Sequence, residues 1–211
     1  MVNFLNKLHL GCGSNYLMGY TNVDYPQDYT IQNRQRMPDI EIDFTKIELP
    51  RAYFEEIRLH HVFEHFQRTQ AIALLCQWNE ALKNDGLLVL AMPDINKCIS
   101  EYSTANKSRK KQLLRHMWGS HEAFWATHHE GYDPEIVAEL LAATGYKLKT
   151  CDRFDEQWPQ FVIVSERIKD YDLDSVAAYL QDMTVLGDRE VLLRCWMQQI
   201  RDYINDRKLS I

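Results

Sequence analysis

Leu8-His9-Leu10-Gly11-Cys12-Gly13 is the stretch that decides the fold, because a short apolar segment runs there directly into two closely spaced glycines. Glycines at such a turn let the backbone approach a ligand closely and adopt positive φ angles. Asp24 ends the next predicted strand, 20–24, where a carboxylate can accept hydrogen bonds from both hydroxyls of a ribose. Together these features predict a nucleotide-like ligand at the carboxyl ends of parallel strands.

A dinucleotide is not the expected ligand. The turn that binds a pyrophosphate carries a third glycine, and Asn15-Tyr16 stand where that glycine would be. The pattern therefore favours a nucleotide-like ligand other than a dinucleotide.

Segments typical of strands and of helices alternate along the chain, which indicates an α/β fold with a mostly parallel, Rossmann-like sheet of seven strands flanked by helices. A helix is predicted at 70–83, and another begins at Asp133, an N-cap followed by Pro134, and ends before Gly145. The predicted strands are 7–10, 20–24, 39–43, 56–60, 86–92, 146–154 and 160–166.

The character of the sequence changes after residue 168. Two amphipathic stripes, separated by Gly187-Asp188, predict a C-terminal helical hairpin. We therefore divide the chain into a cofactor-binding domain, 1–168, and a helical extension, 169–211. Packing of the extension on the domain, a homodimer contact and a contact with the substrate all remain open at this point.

The composition of the chain indicates which classes of partner it could bind and in which compartment it would lie. The net charge of −6 disfavours binding to nucleic acid, which needs clustered lysine and arginine. No apolar segment approaches the length of a membrane span. Five cysteines are scattered without a CxxC pair, which is typical of reduced thiols and predicts a cytoplasmic protein without a metal site.

Several further motifs carry a resemblance to class I S-adenosylmethionine-dependent methyltransferases, and specifically to a bacterial branch found among glycan- and sugar-modifying enzymes. The stretch 7–13 followed by Gly19-Tyr20-Thr21-Asn22-Val23-Asp24 is similar to the opening of that branch. The resemblance spans roughly residues 7–166 in the family's order and leaves out the helical extension. The other matching segments are His61-Val62-Phe63-Glu64-His65-Phe66, 80–86, Met92-Pro93-Asp94 and 131–146.

The resemblance implies S-adenosylmethionine as cofactor and a role for particular residues. Gly11 and Gly13 would pass close to its methionine part, Asp24 would bind the ribose, Asp43 would lie by the adenine amino group, and His60 or His61 would line the sulfonium and acceptor side. Two departures stand out. His9 occupies a position that is often acidic in the family, and only about ten residues separate Gly13 from Asp24, too few for the usual long helix.

The acceptor implied is a small molecule, a glycan or a nucleotide sugar. A hydroxyl acceptor needs a base near neutral pH, and His61 and His129 are the candidates for that catalytic role. Aromatic residues around His129 (Trp118, Phe124 and Trp125) could stack on an acceptor. The basic segment 107–115 is either a solvated helix face or a site for an anionic acceptor.

Two alternative functions remain. The segment His61-Val62-Phe63-Glu64-His65 matches the HxxEH pattern of a family of zinc hydrolases, although it directly follows a predicted strand. If Glu64 and His65 have a purely structural role, we expect them to cap the next helix and to bridge neighbouring residues. A degenerate methyltransferase-like protein, which acts by binding alone, is the other alternative, because of His9 and the short first connection.

Overall fold

The structure is a computed structural model that describes residues 4–26, 37–154, 157–185 and 187–206. The strands are β1 (Lys7–Leu10), β2 (Thr21–Asp24), β3 (Ile40–Glu41), β4 (Phe54–His60), β5 (Leu82–Pro93), β6 (Tyr146–Phe154) and β7 (Gln160–Arg167). The α-helices are α1 (Arg68–Ala81), α2 (Ile95–Thr104), α3 (Lys107–Trp118), α4 (Pro134–Ala143), α5 (Leu173–Gln181) and α6 (Arg189–Asn205). Short 3-10 turns lie at Phe44–Lys46, Phe63–His65 and Phe124–Ala126.

The seven strands form one sheet in the order β3-β2-β1-β4-β5-β7-β6. The first five strands pair in parallel, and β7 runs antiparallel to both β5 and β6. The mostly parallel seven-stranded sheet is therefore confirmed. Because the strand order reverses between β1 and β4, a crevice opens beyond their carboxyl ends, the place where α/β sheets bind ligands.

Some element boundaries differ from the prediction. The predicted strand 39–43 contracts to β3, because the Asp43 side chain caps the turn Phe44–Lys46. The helix predicted at 70–83 ends at Ala81, since Leu82 already pairs with Phe54 of β4. Residues 84 and 85, which separate the predicted helix from the predicted strand 86–92, belong to β5, where the register against β4 shifts.

Asn79 is a polar residue among the buried residues of α1, and the structure explains its presence. The fully buried amide donates to the carbonyls of Thr144, at 3.1 Å, and Lys169, at 3.0 Å. Its oxygen accepts from Arg167 Nε at 3.3 Å, and the same guanidinium binds Asn84 at 2.7 Å. The network joins α1 to the loop after α4 and to the end of β7.

The predicted C-terminal helical hairpin is present and packs on the sheet domain. α5 contacts α4, and α6 lies along α1, where Met197 and Ile200 are buried in the main core. Two side-chain hydrogen bonds support this contact: Thr69 donates to Gln199 at 3.1 Å, and Gln77 donates to the Tyr203 carbonyl at 3.2 Å. Within the described residues, no helix has both the length and the apolar character of a membrane span.

Candidate active site

A cavity of about 850 Å³ opens at the carboxyl edge of β1, β2 and β4. Its volume lies within the range of small-molecule and cofactor sites. Seven residues predicted from the sequence line this one cavity, although they come from five separate segments of the chain. They are Gly11, Gly13, Asp24, Asp43, His60, His61 and His129.

The turn after β1 is held against the end of β2 by the carboxylate of Asp24. Gly13 N donates to Asp24 Oδ2 at 2.9 Å, and Tyr25 N donates to Asp24 Oδ1 at 2.8 Å. Asp24 is only 7% exposed, and Gly11 N donates to the Val23 carbonyl at 2.8 Å. The Cys12 thiol also donates to Asp24 Oδ2, at 4.0 Å, so the carboxylate lies where the turn, the end of β2 and the cavity meet.

The two glycines of the turn differ in the space around them. Both have positive φ, +66° at Gly11 and +51° at Gly13. A Cβ added to Gly11 would lie 2.5 Å from Val62 Cγ2, whereas one added to Gly13 would meet nothing within 4 Å. Of the two glycines, Gly11 therefore lies against the segment after β4, whereas Gly13 has open space on its Cβ side.

We expect Gly11→Ala to lower the free energy of unfolding by roughly 1–3 kcal/mol more than Gly13→Ala does, because only Gly11→Ala adds a steric overlap to the strain of positive φ. Urea unfolding of both variants measures this difference. Equal losses in the two variants would show that Val62 does not constrain the turn.

Asp43 follows β3, two strands away from β1 in the sheet, and also lines the cavity. Its Oδ1 accepts from Thr45 N at 3.1 Å and from Thr45 Oγ1 at 2.6 Å, and its Oδ2 pairs with Lys46 Nζ at 3.2 Å. Phe44, next in sequence, packs edge-on against Phe66 with ring centroids 5.9 Å apart. The arrangement places a carboxylate beside two aromatic rings that also line the cavity.

His9 does not line the cavity; it lies buried within the sheet, where its Nδ1 donates to Asn22 Oδ1 at 3.1 Å. Its ring centroid is 5.4 Å from that of His60, which accepts from Asn15 Nδ2 at 2.9 Å. Burial, together with the neighbouring His9 and Arg58, lowers the pKa of His60 to about 4. His60 therefore presents a neutral ring to the cavity near neutral pH.

His61 has a φ of +53° and contacts two other polar side chains. Its Nε2 donates to Gln160 Oε1 at 2.7 Å, and its Nδ1 lies 3.4 Å from Glu64 Oε1, an ion-pair distance. Burial acts to lower the pKa of His61, but the Glu64 carboxylate outweighs it, and the net effect raises that pKa. Burial likewise acts to raise the pKa of Glu64, but His61, His65 and His128 together lower it.

The HxxEH string does not have the helical geometry that its zinc-hydrolase interpretation requires. His61 is in the left-handed region, and only Phe63–His65 forms a single 3-10 turn. The alternative in which Glu64 and His65 cap the next helix is also wrong, because Gln67 is the N-cap of α1 and has no side-chain cap bond. The bridging role is observed instead: His65 Nδ1 donates to the Thr127 carbonyl at 3.1 Å.

The long connection between α3 and α4 forms one wall of the cavity. Phe124, Trp125 and His129 line it, and Phe124 packs edge-on against Tyr25 at 5.9 Å although it is 69% exposed. Trp118 is absent from the lining. His129 N donates to the Glu64 carbonyl at 2.8 Å, which joins the connection to the segment after β4.

The basic segment 107–115 lies on α3, and none of its residues lines the cavity. Arg109 instead binds Glu101 through two nitrogens, at 2.6 and 3.1 Å, and its guanidinium lies 5.0 Å from the Trp158 ring centroid. Among the described residues that line the cavity there is no lysine or arginine. The solvated-face interpretation of this segment therefore fits the structure better than an anion site.

Some cavity residues could not be found from motifs. Gln160 begins β7, and Tyr203 comes from α6, so both reach the cavity only through tertiary packing. Tyr25 directly follows one segment that the sequence singled out, and Phe66 is the last residue of another, but neither had been given a role in a site. Tyr203 shows that the C-terminal extension contributes to the wall.

No protein-family model matches the chain, and no curated protein is significantly similar in sequence. Solved structures do match. A SAM-dependent methyltransferase from Methanosarcina mazei superposes with a TM-score of 0.51 at 12% identity, over 77% of this chain and 92% of that one. An S-adenosylmethionine-dependent methyltransferase from Mesorhizobium loti superposes with a TM-score of 0.53 at 15% identity, over 79% of this chain and 92% of that one.

A third structure contains bound ligands. It is the 1,6-didemethyltoxoflavin-N1-methyltransferase of Burkholderia thailandensis, in complex with 1,6-didemethyltoxoflavin and S-adenosylhomocysteine, and it matches with a TM-score of 0.52 at 11% identity, over 77% of this chain and 71% of that one. At these identities the likeness concerns the fold. The chain has the Rossmann-like fold of the class I S-adenosylmethionine-dependent methyltransferases.

Proposed function

We propose that this chain is an S-adenosylmethionine-dependent methyltransferase that acts on a small-molecule or glycan acceptor. The observation that carries the proposal is the Asp24 carboxylate, which is buried, bound to Gly13 N and at the edge of a cavity at the carboxyl ends of the strands. A carboxylate in this position can accept hydrogen bonds from the hydroxyls of a ribose that lies beside the glycine turn 11–13. The fold shared with the methyltransferases above supports the same function.

The cavity residues fit the cofactor in charge as well as in position. Gly11 and Gly13 would let the backbone contact its methionine part, Asp24 would accept from its ribose hydroxyls, and Asp43 would accept from its adenine amino group. His60 would lie by the sulfonium, where a neutral ring avoids repulsion between two cations.

When bound, the cofactor would supply an electrophilic methyl group attached to a sulfonium sulfur, and that sulfur is a good leaving group. The chain's own residues would then mainly align the acceptor with that methyl group, which accounts for several kcal/mol of the barrier. For a hydroxyl acceptor, the candidates to take the proton at a ring nitrogen are His61 and His129, since both line the cavity. His61 would have to release Gln160 from its Nε2 to do so. Phe124 and Trp125 would exclude water and contact the acceptor face.

The described cavity wall favours a neutral acceptor. It has no lysine or arginine, so the phosphates of a nucleotide sugar would find no cationic partner among these residues. A glycan or an uncharged small molecule fits the wall of aromatic and histidine side chains better.

Replacement of His60 by lysine tests whether residue 60 lies next to the sulfonium of the bound cofactor. We expect His60→Lys to weaken S-adenosylmethionine binding at least about tenfold, because it fixes a positive charge where the native ring is neutral. His60→Gln, which stays neutral, should change affinity much less. Similar affinities for the two variants in calorimetry would place the sulfonium away from residue 60.

Replacement of both His61 and His129 by alanine tests the proton acceptors. With a hydroxyl acceptor, we expect turnover to fall by about 100-fold or more while S-adenosylmethionine binding is retained. The two single variants show which ring acts. Full turnover in the double variant would remove both residues from the catalytic step.

Transfer of a labelled methyl group from S-adenosylmethionine to a panel of neutral sugars, oligosaccharides, small aromatic molecules and nucleotide sugars tests the proposed function directly. We expect transfer to a neutral acceptor, and loss of transfer in Asp24→Ala. Cofactor binding without transfer to any acceptor would favour the degenerate, binding-only alternative instead.

A further inference from the structure

Glu64 lies directly behind the cavity wall, in the turn Phe63–His65, and its carboxylate is unusually placed. Its side chain is 2% exposed, and neither oxygen has a hydrogen-bond partner within the described residues. A buried carboxylate without a donor is costly, because burial removes the water that would otherwise solvate the charge. The His61 ring, 3.4 Å from Oε1, lies on one side of it.

Two histidines lie on the other side of the carboxylate, and backbone carbonyls fix the orientation of both. His65 Nδ1 donates to the Thr127 carbonyl and His128 Nδ1 donates to the Met117 carbonyl, each at 3.1 Å. A carbonyl oxygen can only accept, so Nδ1 carries the hydrogen in both rings. The lone pair of each neutral imidazole is then on Nε2. Histidines that bind a metal through one ring nitrogen commonly donate from the other to a backbone carbonyl in the same way.

These atoms converge on one point. One ligand atom from each of Glu64, His65 and His128 lies within 4.8 Å of the other two, and His128 Nε2 is 3.9 Å from Glu64 Oε1. The two rings meet edge-to-face with centroids 4.6 Å apart. With Nδ1 protonated in both rings, two imidazole nitrogens and a carboxylate oxygen offer lone pairs to the same point, where a cation could accept all three.

We propose that Glu64, His65 and His128 bind one divalent transition-metal ion of the zinc class. Two imidazoles and a carboxylate are a common ligand set for Zn²⁺, with bonds of roughly 2.0–2.2 Å, so the three side chains would contract by about 1 Å around the ion. This set differs from that of the HxxEH hydrolases, since His128 comes from a distant segment and His61 is not a ligand.

The ion would join two segments of the cavity wall. His65 follows β4, whereas His128 belongs to the connection that carries Phe124, Trp125 and His129. The backbone bond from His129 N to the Glu64 carbonyl already links the same segments. Metal binding would therefore hold the connection closed over the cavity, a role that is independent of methyl transfer.

Direct titration of the metal-free, untagged protein with Zn²⁺, and separately with Co²⁺, tests the site without cofactor or acceptor. We expect one ion per chain and a Co²⁺ absorption spectrum typical of a site with nitrogen ligands. We expect His65→Ala and His128→Ala each to lose at least about 100-fold in Zn²⁺ affinity, because each removes one of three protein ligands. His121→Ala, in the same connection but outside the cluster, is the matched control and should bind as the wild type does.

Glu64→Gln is a nearly isosteric second variant that removes the charge and should also weaken binding, with circular dichroism to verify its fold. Chelation should lower the melting temperature of the wild type and leave that of His128→Ala unchanged. Absence of stoichiometric binding in the wild type would overturn the proposal. Equal affinity in the wild type, His65→Ala and His128→Ala would overturn it as well.

Discussion

Asp24→Ala should bind S-adenosylmethionine at least about 100-fold more weakly than the wild type. In the proposed complex, Asp24 accepts from both ribose hydroxyls, and each hydrogen bond to a charged group contributes about 1.5–3 kcal/mol. Loss of two such bonds exceeds the roughly 2.8 kcal/mol that corresponds to a 100-fold change in affinity. Equilibrium dialysis with labelled cofactor measures the loss.

The matched control is Asp85→Asn. It removes the same charge at the amino end of β5, on the edge of the sheet away from the cavity, and asparagine tolerates the φ of +62° found there. We expect its affinity to equal that of the wild type. If Asp24→Ala retains wild-type affinity while folded, the ribose does not lie at the end of β2.

Asn79→Ala should lower the free energy of unfolding by about 3 kcal/mol. The change leaves the carbonyls of Thr144 and Lys169 and the Nε of Arg167 without their buried partner. Each buried polar group left without a hydrogen bond costs about 1–3 kcal/mol, and some relaxation offsets part of the sum. Urea unfolding followed by circular dichroism measures the effect.

Asn84→Ala tests a more exposed bond of the same network and should cost only about 0.5–1 kcal/mol, because Arg167 keeps its other partners there. A loss for Asn79→Ala no larger than that for Asn84→Ala would show that the buried amide does not join the helix to the end of β7.

Local patterns predict most of the fold because each strand is decided by its own residues. The segment 86–92 is apolar throughout, as a strand buried on both faces must be, and the last strand contains the apolar, mostly β-branched run Phe161-Val162-Ile163-Val164. The helix at Asp133-Pro134 begins where its capping residues place it, with Asp133 Oδ1 accepting from Glu135 N at 2.9 Å. Boundaries differ where pairing with a neighbouring strand outweighs the local pattern, as at Leu82.

The features that the sequence could not predict depend on contacts between residues that are far apart in the chain. The sequence gives no reason for a polar Asn79 within a buried helix, because its two carbonyl partners lie 65 and 90 residues away. Glu64 and His128 lie far apart in sequence and meet only because the connection after α3 folds back over the turn after β4. Conversely, six of the seven predicted cavity residues come together because parallel strands bring their carboxyl ends to one edge of the sheet. The seventh, His129, reaches the cavity through the connection after α3.

Calorimetric titration of the purified wild-type protein with S-adenosylmethionine tests the central claim most directly. The account predicts saturable binding at one site per chain, with a Kd between about 1 μM and 1 mM, as is usual for enzyme substrates. Absence of saturable binding at about 1 mM cofactor, in protein shown to be folded, would contradict it.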